Sequence, residues 1–160
     1  MPDEIKALEF TVLGDPAPKG SMRAAGNRVL PGGSEANRKN LVSWGTAVRE
    51  AAGAAVEQAV GVGVERIPFV GVALRMRVIF RVKRPKKHYY DKGPRAGEVR
   101  DDAPKYCITK PDGSKLIRAA EDDLNKLVWA DDCLVAVHMS AKVYAPPGRP
   151  GAWIRIEVIE

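Results

Sequence analysis

The chain has 160 residues, 45% of them apolar and 29% charged, the proportions of one globular domain whose core needs no disulfide framework or structural metal. Lys and Arg outnumber Asp and Glu by 26 to 20, a net charge of +6, which points to a polyanionic partner such as nucleic acid. The longest apolar run, Ile67 to Leu74, falls far short of the ~20 residues that span a bilayer, and Met1 to Lys6 carries acids in place of an apolar signal core, so a cytoplasmic protein with no membrane partner is expected.

In chain order, Leu8 to Leu13 reads as a strand ended by the Gly14 to Pro18 turn. Lys19 to Ala36, rich in Gly, Arg, Pro, Asn and Ser, reads as a mobile basic loop. Asn37 to Val60 is a helix, with Leu41, Trp44, Val48, Ala52, Ala55 and Ala59 near one face and Gly61 and Gly63 ending it. Phe69 to Val82 is a long strand whose Leu74, Met76, Val78 and Phe80 alternate with Arg75, Arg77, Ile79 and Arg81, predicting one buried and one basic face. Lys83 to Lys105, with Pro85, Pro94 and Pro104, is a second mobile basic loop. Lys115 to Leu127 is a short helix striped by Leu116, Ala120, Leu124 and Leu127, with Ser114 as its N-cap. Leu134 to Tyr144 alternates as Val135, Val137, Met139 and Ala141, with His138 and Ser140 on the other face. Pro146 to Gly151 is a turn, and Trp153 to Val158 is the last strand.

The order β-α-β-loop-α-β-β predicts a single α+β domain over residues 1–160, with a mixed sheet, two main helices and a hairpin formed by the last two strands. Trp44, Trp129 and Trp153 read as core or interface residues. His138 has no histidine partner and reads as a surface residue. Cys107 and Cys133 lack a CxxC spacing and read as reduced thiols.

The basic excess is local. Arg75 to Arg95 holds nine Lys or Arg and the single acid Asp91, a net of +8 that leaves the rest of the chain at −2. Tyr89 and Tyr90 lie among these cations, a composition suited to stacking on unpaired bases and equally to a solvated loop. The acids gather later: Asp112 follows Lys110-Pro111, Asp131 and Asp132 follow Trp129-Ala130, and Glu121, Asp122 and Asp123 lie on the helix between. Carboxylates flanking a short helix are the oxygen ligands that Mg²⁺ prefers, and metal-assisted phosphodiester hydrolysis uses such a site. The same acids also serve solubility and i,i+4 pairing, as between Arg118 and Asp122.

Three blocks resemble the RusA family of Holliday junction resolvases, small dimeric endonucleases frequent in phages and prophages. The first is Phe10-x-Val-x-Gly-x-Pro-x-Pro-Lys-Gly-Ser-x-Arg23, similar to the family's opening strand and basic turn. The second, Lys110-Pro-Asp-Gly-Ser-Lys-Leu-Ile-Arg118, resembles K-P-D-x-D-N-L-x-K. The third, Trp129-Ala-Asp-Asp-Cys-Leu-Val135 followed by Lys142, resembles W-x-D-D-x-Q-V with a lysine ten residues after the second Asp.

The resemblance implies Mg²⁺ (or Mn²⁺) carboxylates at Asp112 and Asp132 with Asp131 beside them. It places Ser114 at a family aspartate, Arg118 at a family lysine, Lys115 at a family asparagine and Leu134 at a family glutamine. Ser114 removes a charge and leaves a poorer metal ligand. Arg118 keeps its charge but cannot transfer protons. Asp122 matches an acid of the family helix. Phosphate contacts are implied for Lys19, Arg23, Arg28, Arg81, Lys83, Arg84, Lys86, Lys87, Lys115 and Lys142, and a homodimer would set one site on each of two opposing strands of a four-way junction. Two other classes share these residues: a junction-binding protein with impaired cleavage, which Ser114 favours, and a basic RNA- or ribosome-associated protein that needs no metal.

Overall fold

Alternation decides which strands are central. The computed structural model describes residues 7–20, 22–61 and 67–159, with the side chains of 22–25 and 29–31 outside that description. In β1 (Ala7–Leu13) Leu8, Phe10 and Val12 are buried between exposed neighbours. β4 (Leu74–Val82) buries Leu74, Met76, Val78 and Phe80, and β6 (Gly151–Val158) buries Ala152, Ile154 and Ile156. With β5 (Val135–Tyr144) they form one sheet in the order β1-β6-β4-β5. β6 is antiparallel to β1 and to β4, and β4 is parallel to β5.

Two helices feed one core with the inward face of this sheet. α1 (Glu35–Gly61) buries Trp44, Gly45, Val48, Ala52 and Ala59, and α2 (Gly113–Leu124) buries Leu116, Ala119, Ala120 and Leu124. The helices approach closely where a Cβ on Gly45 would lie 2.7 Å from Asp123 Oδ1, so position 45 admits only glycine without a shift. The α+β class and the mixed sheet match the expectation.

Four details differ from it. The last two strands do not pair with each other: β6, with its fully buried Ile154 and Ile156, enters between β1 and β4, and β5 is left at the edge. A parallel pair requires a crossover, and α2 supplies it between β4 and β5. Within residues 19–36, β2 (Met22–Ala25) and β3 (Arg28–Pro31) form a hairpin, closed by Gly26 at φ 61, a conformation glycine adopts without penalty. β4 begins at Leu74 rather than Phe69, which makes an isolated bridge to Trp129. α2 begins at Gly113 with Asp112 at its N-cap, in place of Ser114, and ends at Leu124.

β5 also carries a bulge. Leu74 pairs with Val135, but Arg75 pairs with Val137, so Ala136 is an extra residue and reverses the facing of the residues after it. Val137, Met139 and Ala141 therefore share the uncovered sheet face with Arg75, Arg77 and Ile79, while His138, Ser140 and Lys142 lie on the helix side. The readings of Met1 to Lys6 and of Gly63 fall outside the described residues.

Candidate active site

The segment leading into α2 runs beside the end of β5. Cys107 N–H donates to Lys142 O at 3.0 Å and Tyr144 N–H to Lys105 O at 2.9 Å. The Lys142 ammonium donates to the carbonyls of Thr109 and Pro111, the latter at 2.6 Å. It thus pins the peptide that carries Asp112 to the sheet. Asp112 caps α2 by backbone position, but its side chain makes no capping hydrogen bond; Lys115 N–H and Leu116 N–H bond its main-chain oxygen. The carboxylate is exposed, with the Lys115 ammonium at 3.7 Å. Ser114 and Arg118 are exposed, and neither side chain bonds to a described residue. Buried Cys107 sits in the same corner. Burial pushes its thiol up, but hydrogen bonds to Thr109 and Tyr144 and the charge of Lys142 outweigh that and lower it.

The other acidic pair sits on a stiffer frame. Phe69 N–H donates to Val128 O at 2.8 Å and Ala130 N–H to Phe69 O at 3.0 Å, which clamps the turn after α2. Fully buried Trp129 donates its indole N–H to Asp132 Oδ1 at 2.8 Å, leaving the second oxygen of this half-buried carboxylate unpartnered among the described residues. Asp131 Oδ1 accepts from Cys133 N–H at 3.0 Å. That bond holds the Asp131 carboxyl below its ordinary range, and Asp131 in turn pushes the exposed Cys133 thiol up.

These two corners do not meet in one chain. Lys142 touches Pro111 at the start of α2, and His138 Nε2 lies 2.6 Å from Glu121 Oε1 near its end, so α2 runs antiparallel to β5. Its twelve residues span about 18 Å, and Asp112 and Asp132 lie beyond opposite ends. The acids between them are engaged: Glu121 with His138, Asp122 with Lys19 and Asp123 with Arg49. Burial pushes the Asp123 carboxyl up, and Arg49 opposes this. The anticipated Arg118–Asp122 pair is absent because Lys19 takes Asp122. Among the described residues no three Asp, Glu, His or Cys side chains gather into a metal-holding group. Asp112 and Asp132 are the right kind of donor for Mg²⁺, but one chain does not fit the ion with both.

The basic surface divides as clearly. Arg75 and Arg77 pair with Glu157 at 3.1 and 3.7 Å, and Arg155 pairs with Glu157 at 2.7 Å and Glu9 at 2.9 Å. In the loop after β4, Arg95 bonds Asp101 and Glu98, each at 2.8 Å, and Arg100 bonds Asp102 at 2.9 Å. Tyr90 N–H to Glu98 O and Arg100 N–H to His88 O, both 2.9 Å, brace that loop. Arg84 lies 5.1 Å from the Tyr144 ring centre and donates to Pro104 O at 3.0 Å. Arg81, Lys83, Lys86 and Lys87 make no ion pair with a described residue. Arg81 lies near the end of β4 on the uncovered face, and Lys83, Lys86 and Lys87 follow where the chain leaves that strand. Lys19 is paired, Arg28 is exposed, and the Arg23 side chain lies outside the description, although its backbone is on β2.

Three contributors escape a reading of the residues alone. Trp129 orients Asp132, and its place three residues earlier was the available signal. The Thr109 and Pro111 carbonyls and the Glu121–His138 contact arise from chain segments 17 or more residues apart and carry no local signature.

No helix among the described residues is long and apolar enough to cross a membrane. No curated protein matches the chain. A family model described as endodeoxyribonuclease RusA matches residues 18–157, which takes in β4, α2, β5 and both acidic corners. The chain belongs to the RusA endodeoxyribonuclease family, the Holliday junction resolving endonucleases.

Proposed function

We propose that the protein resolves four-way DNA junctions by Mg²⁺-dependent phosphodiester hydrolysis, acting as a homodimer in the cytoplasm of a bacterial host and encoded by a phage or prophage. The observation that carries this reading is the exposed Asp112 carboxylate, whose peptide Lys142 pins beside the end of β5, at the end of the sheet where the chain leaves β4 through the unpaired Lys83, Lys86 and Lys87. Those cations hold the sugar–phosphate backbone and make binding steeply dependent on salt. Arg118, free of side-chain partners among the described residues, offsets charge on the attacked phosphate as a planar fork. Lys142 acts at one remove, because its ammonium is committed to positioning the Asp112 peptide. Asp112 and Asp132 are the proposed metal carboxylates, supplied by different copies of the homodimer because one chain holds them beyond opposite ends of α2, and a bound Mg²⁺ or Mn²⁺ would supply charge neutralisation and an activated water.

The test is cleavage of a synthetic four-way junction with and without Mg²⁺. Asp112→Asn and Asp132→Asn are expected to abolish cutting while junction binding persists; wild-type rates in both would remove the assignment. The impaired-nuclease alternative rests on Ser114, an exposed hydroxyl where the family carries a carboxylate. A large rate gain in Ser114→Asp supports it, and no gain removes it.

A further inference from the structure

Both helices pack on one face of the sheet, and alternation turns the remaining strand residues to the other. On that open face Trp153 of β6 lies beside Ile79 of β4, and Ile79 beside Ala141 of β5. The next row sets Arg81 beside Val143, and Val143 bridges to Tyr106 on the segment that leads to Asp112. Directly opposed residues share a face, so Tyr106 extends this one. Tyr106 is 59% exposed, and Ile108, two residues on, is 92% exposed. An apolar band thus crosses the open face from half-buried Trp153 to Tyr106 and Ile108. We infer that this band is a platform for an unpaired DNA strand, with bases stacked on Trp153 and Tyr106 and phosphates drawn to the arginines beside them.

Charge selects that occupant. The strands turn two carboxylates to this face, and both are held. Glu9 accepts from the Trp153 indole N–H and from Arg155, each at 2.9 Å, and Glu157 is paired with Arg75, Arg77 and Arg155. No uncompensated acid therefore repels a phosphate. Four arginines, 75, 77, 81 and 155, stand against these two glutamates, a surplus of +2. Arg81, in the row that ends at Tyr106, makes no ion pair with a described residue, and the Lys105 ammonium lies 5.6 Å from the Tyr106 ring centre. The surplus runs on into Lys83, Lys86 and Lys87, so a strand lying on the face continues along the same cations. With its N–H taken by Glu9, the Trp153 indole offers a ligand its ring surface. Aromatic rings beside cations hold unpaired strands without reading their sequence, and a duplex, whose base faces are already stacked, gains nothing from the band. A second copy seated here about a two-fold axis would set the same positive surface against itself, and the family's substrate is DNA.

Binding is measured on the full-length protein in EDTA, so the outcome is independent of metal and of cleavage. The probes are a short labelled oligothymidylate and a duplex of equal length, followed by fluorescence anisotropy. Tyr106→Ala, at an exposed position, should weaken oligothymidylate binding about tenfold or more and duplex binding by less than about twofold. Ile108→Ser should act in the same direction and more weakly. Trp44 and Trp129 are buried, whereas Trp153 is partly exposed. Oligothymidylate should therefore quench the intrinsic fluorescence of the wild type and leave that of Trp153→Phe unchanged. Unaltered oligothymidylate binding in Tyr106→Ala, equal losses on both probes, or quenching that persists in Trp153→Phe overturns the inference. Tighter binding of an oligouridylate of the same length would make the occupant RNA and overturn the DNA assignment. A changed sedimentation coefficient of free Tyr106→Ala would make the face an interface between copies and overturn it equally.

Discussion

The two ends of α2 are built to opposite plans. At the Asp132 end the carboxylate is half-buried, hydrogen-bonded to a fully buried indole and set on a turn clamped by Phe69. At the Asp112 end the carboxylate is exposed, uses no side-chain cap and stands among lysines, and rigidity comes from Lys142 holding the preceding carbonyls. The first plan orients an acid by packing; the second leaves an acid accessible and anchors its backbone. The open end leaves its acid accessible to a ligand, while the fixed end holds its acid in one orientation.

The largest expected departure breaks the fixed end. Trp129→Phe keeps most of the buried volume and deletes the donor to Asp132 Oδ1. Loss of such an orienting hydrogen bond typically costs about 10–100-fold in metal affinity or activity. Mn²⁺ affinity and junction cleavage should both fall in that range while the melting temperature drops by only a few degrees. A variant that loses stability in proportion to activity would show Trp129 to be a packing residue alone. Lys142→Met breaks the other end differently. It strands the half-buried Pro111 carbonyl, a cost of about 1–3 kcal/mol if no partner replaces the ammonium, whereas exposed Thr109 turns to water, and denaturant melts should register it together with lost cleavage.

A subtler departure concerns the cations. If Lys83, Lys86 and Lys87 each neutralise one phosphate, their alanine variants lower the slope of log affinity against log salt by about one apiece. Arg95→Ala and Arg100→Ala should leave it unchanged, because those guanidiniums already serve Asp101, Glu98 and Asp102. Equal effects from both groups would dissolve the division of the basic surface.

Much of this was legible in the residues. The alternation of Leu74 to Phe80 with arginines announced β4 and its two faces, the spacing of Leu116, Ala120 and Leu124 announced α2, and the acids at 112, 131 and 132 marked both corners. The features that escaped share a physical cause. The edge position of β5 follows from β6, with its buried Ile154 and Ile156, entering between β1 and β4, which leaves β5 the outer side of β4. One extra residue, Ala136, turns Val137, Met139 and Ala141 to the uncovered side. Which arginines stay available depends on Glu157, Asp101 and Asp102, partners that composition counts but does not place. The distance between Asp112 and Asp132 follows from the antiparallel run of α2 and β5, a tertiary fact with no trace in their spacing along the chain.

The smallest expected effect sits beneath the open end, at His88. Its ring packs edge-on against Tyr144 with centroids 4.8 Å apart, and burial, then the charges of Arg84, Lys87 and Arg100, lower its pKa from 6.5, with Asp102 opposing. The folded chain therefore holds the imidazole neutral at a pH where the unfolded chain binds a proton. Stability from this group is complete above about pH 6.5 and is lost as pH falls through the folded value. Asp101 acts in a separate window. Hydrogen bonds from Arg95 and then Tyr90 draw its carboxyl from 3.8 to about 2, so its contribution holds above about pH 4 and disappears only towards pH 2. Thermal melts between pH 7 and 5 should show wild-type stability declining and His88→Gln declining less, with the two curves converging in shape below pH 4, where Asp101 governs both. Parallel curves from pH 7 to 5 would mean that His88 takes up its proton in the folded chain as readily as in the unfolded one, and that the open end gains its shape from Arg84 and Tyr144 without help from a neutral imidazole.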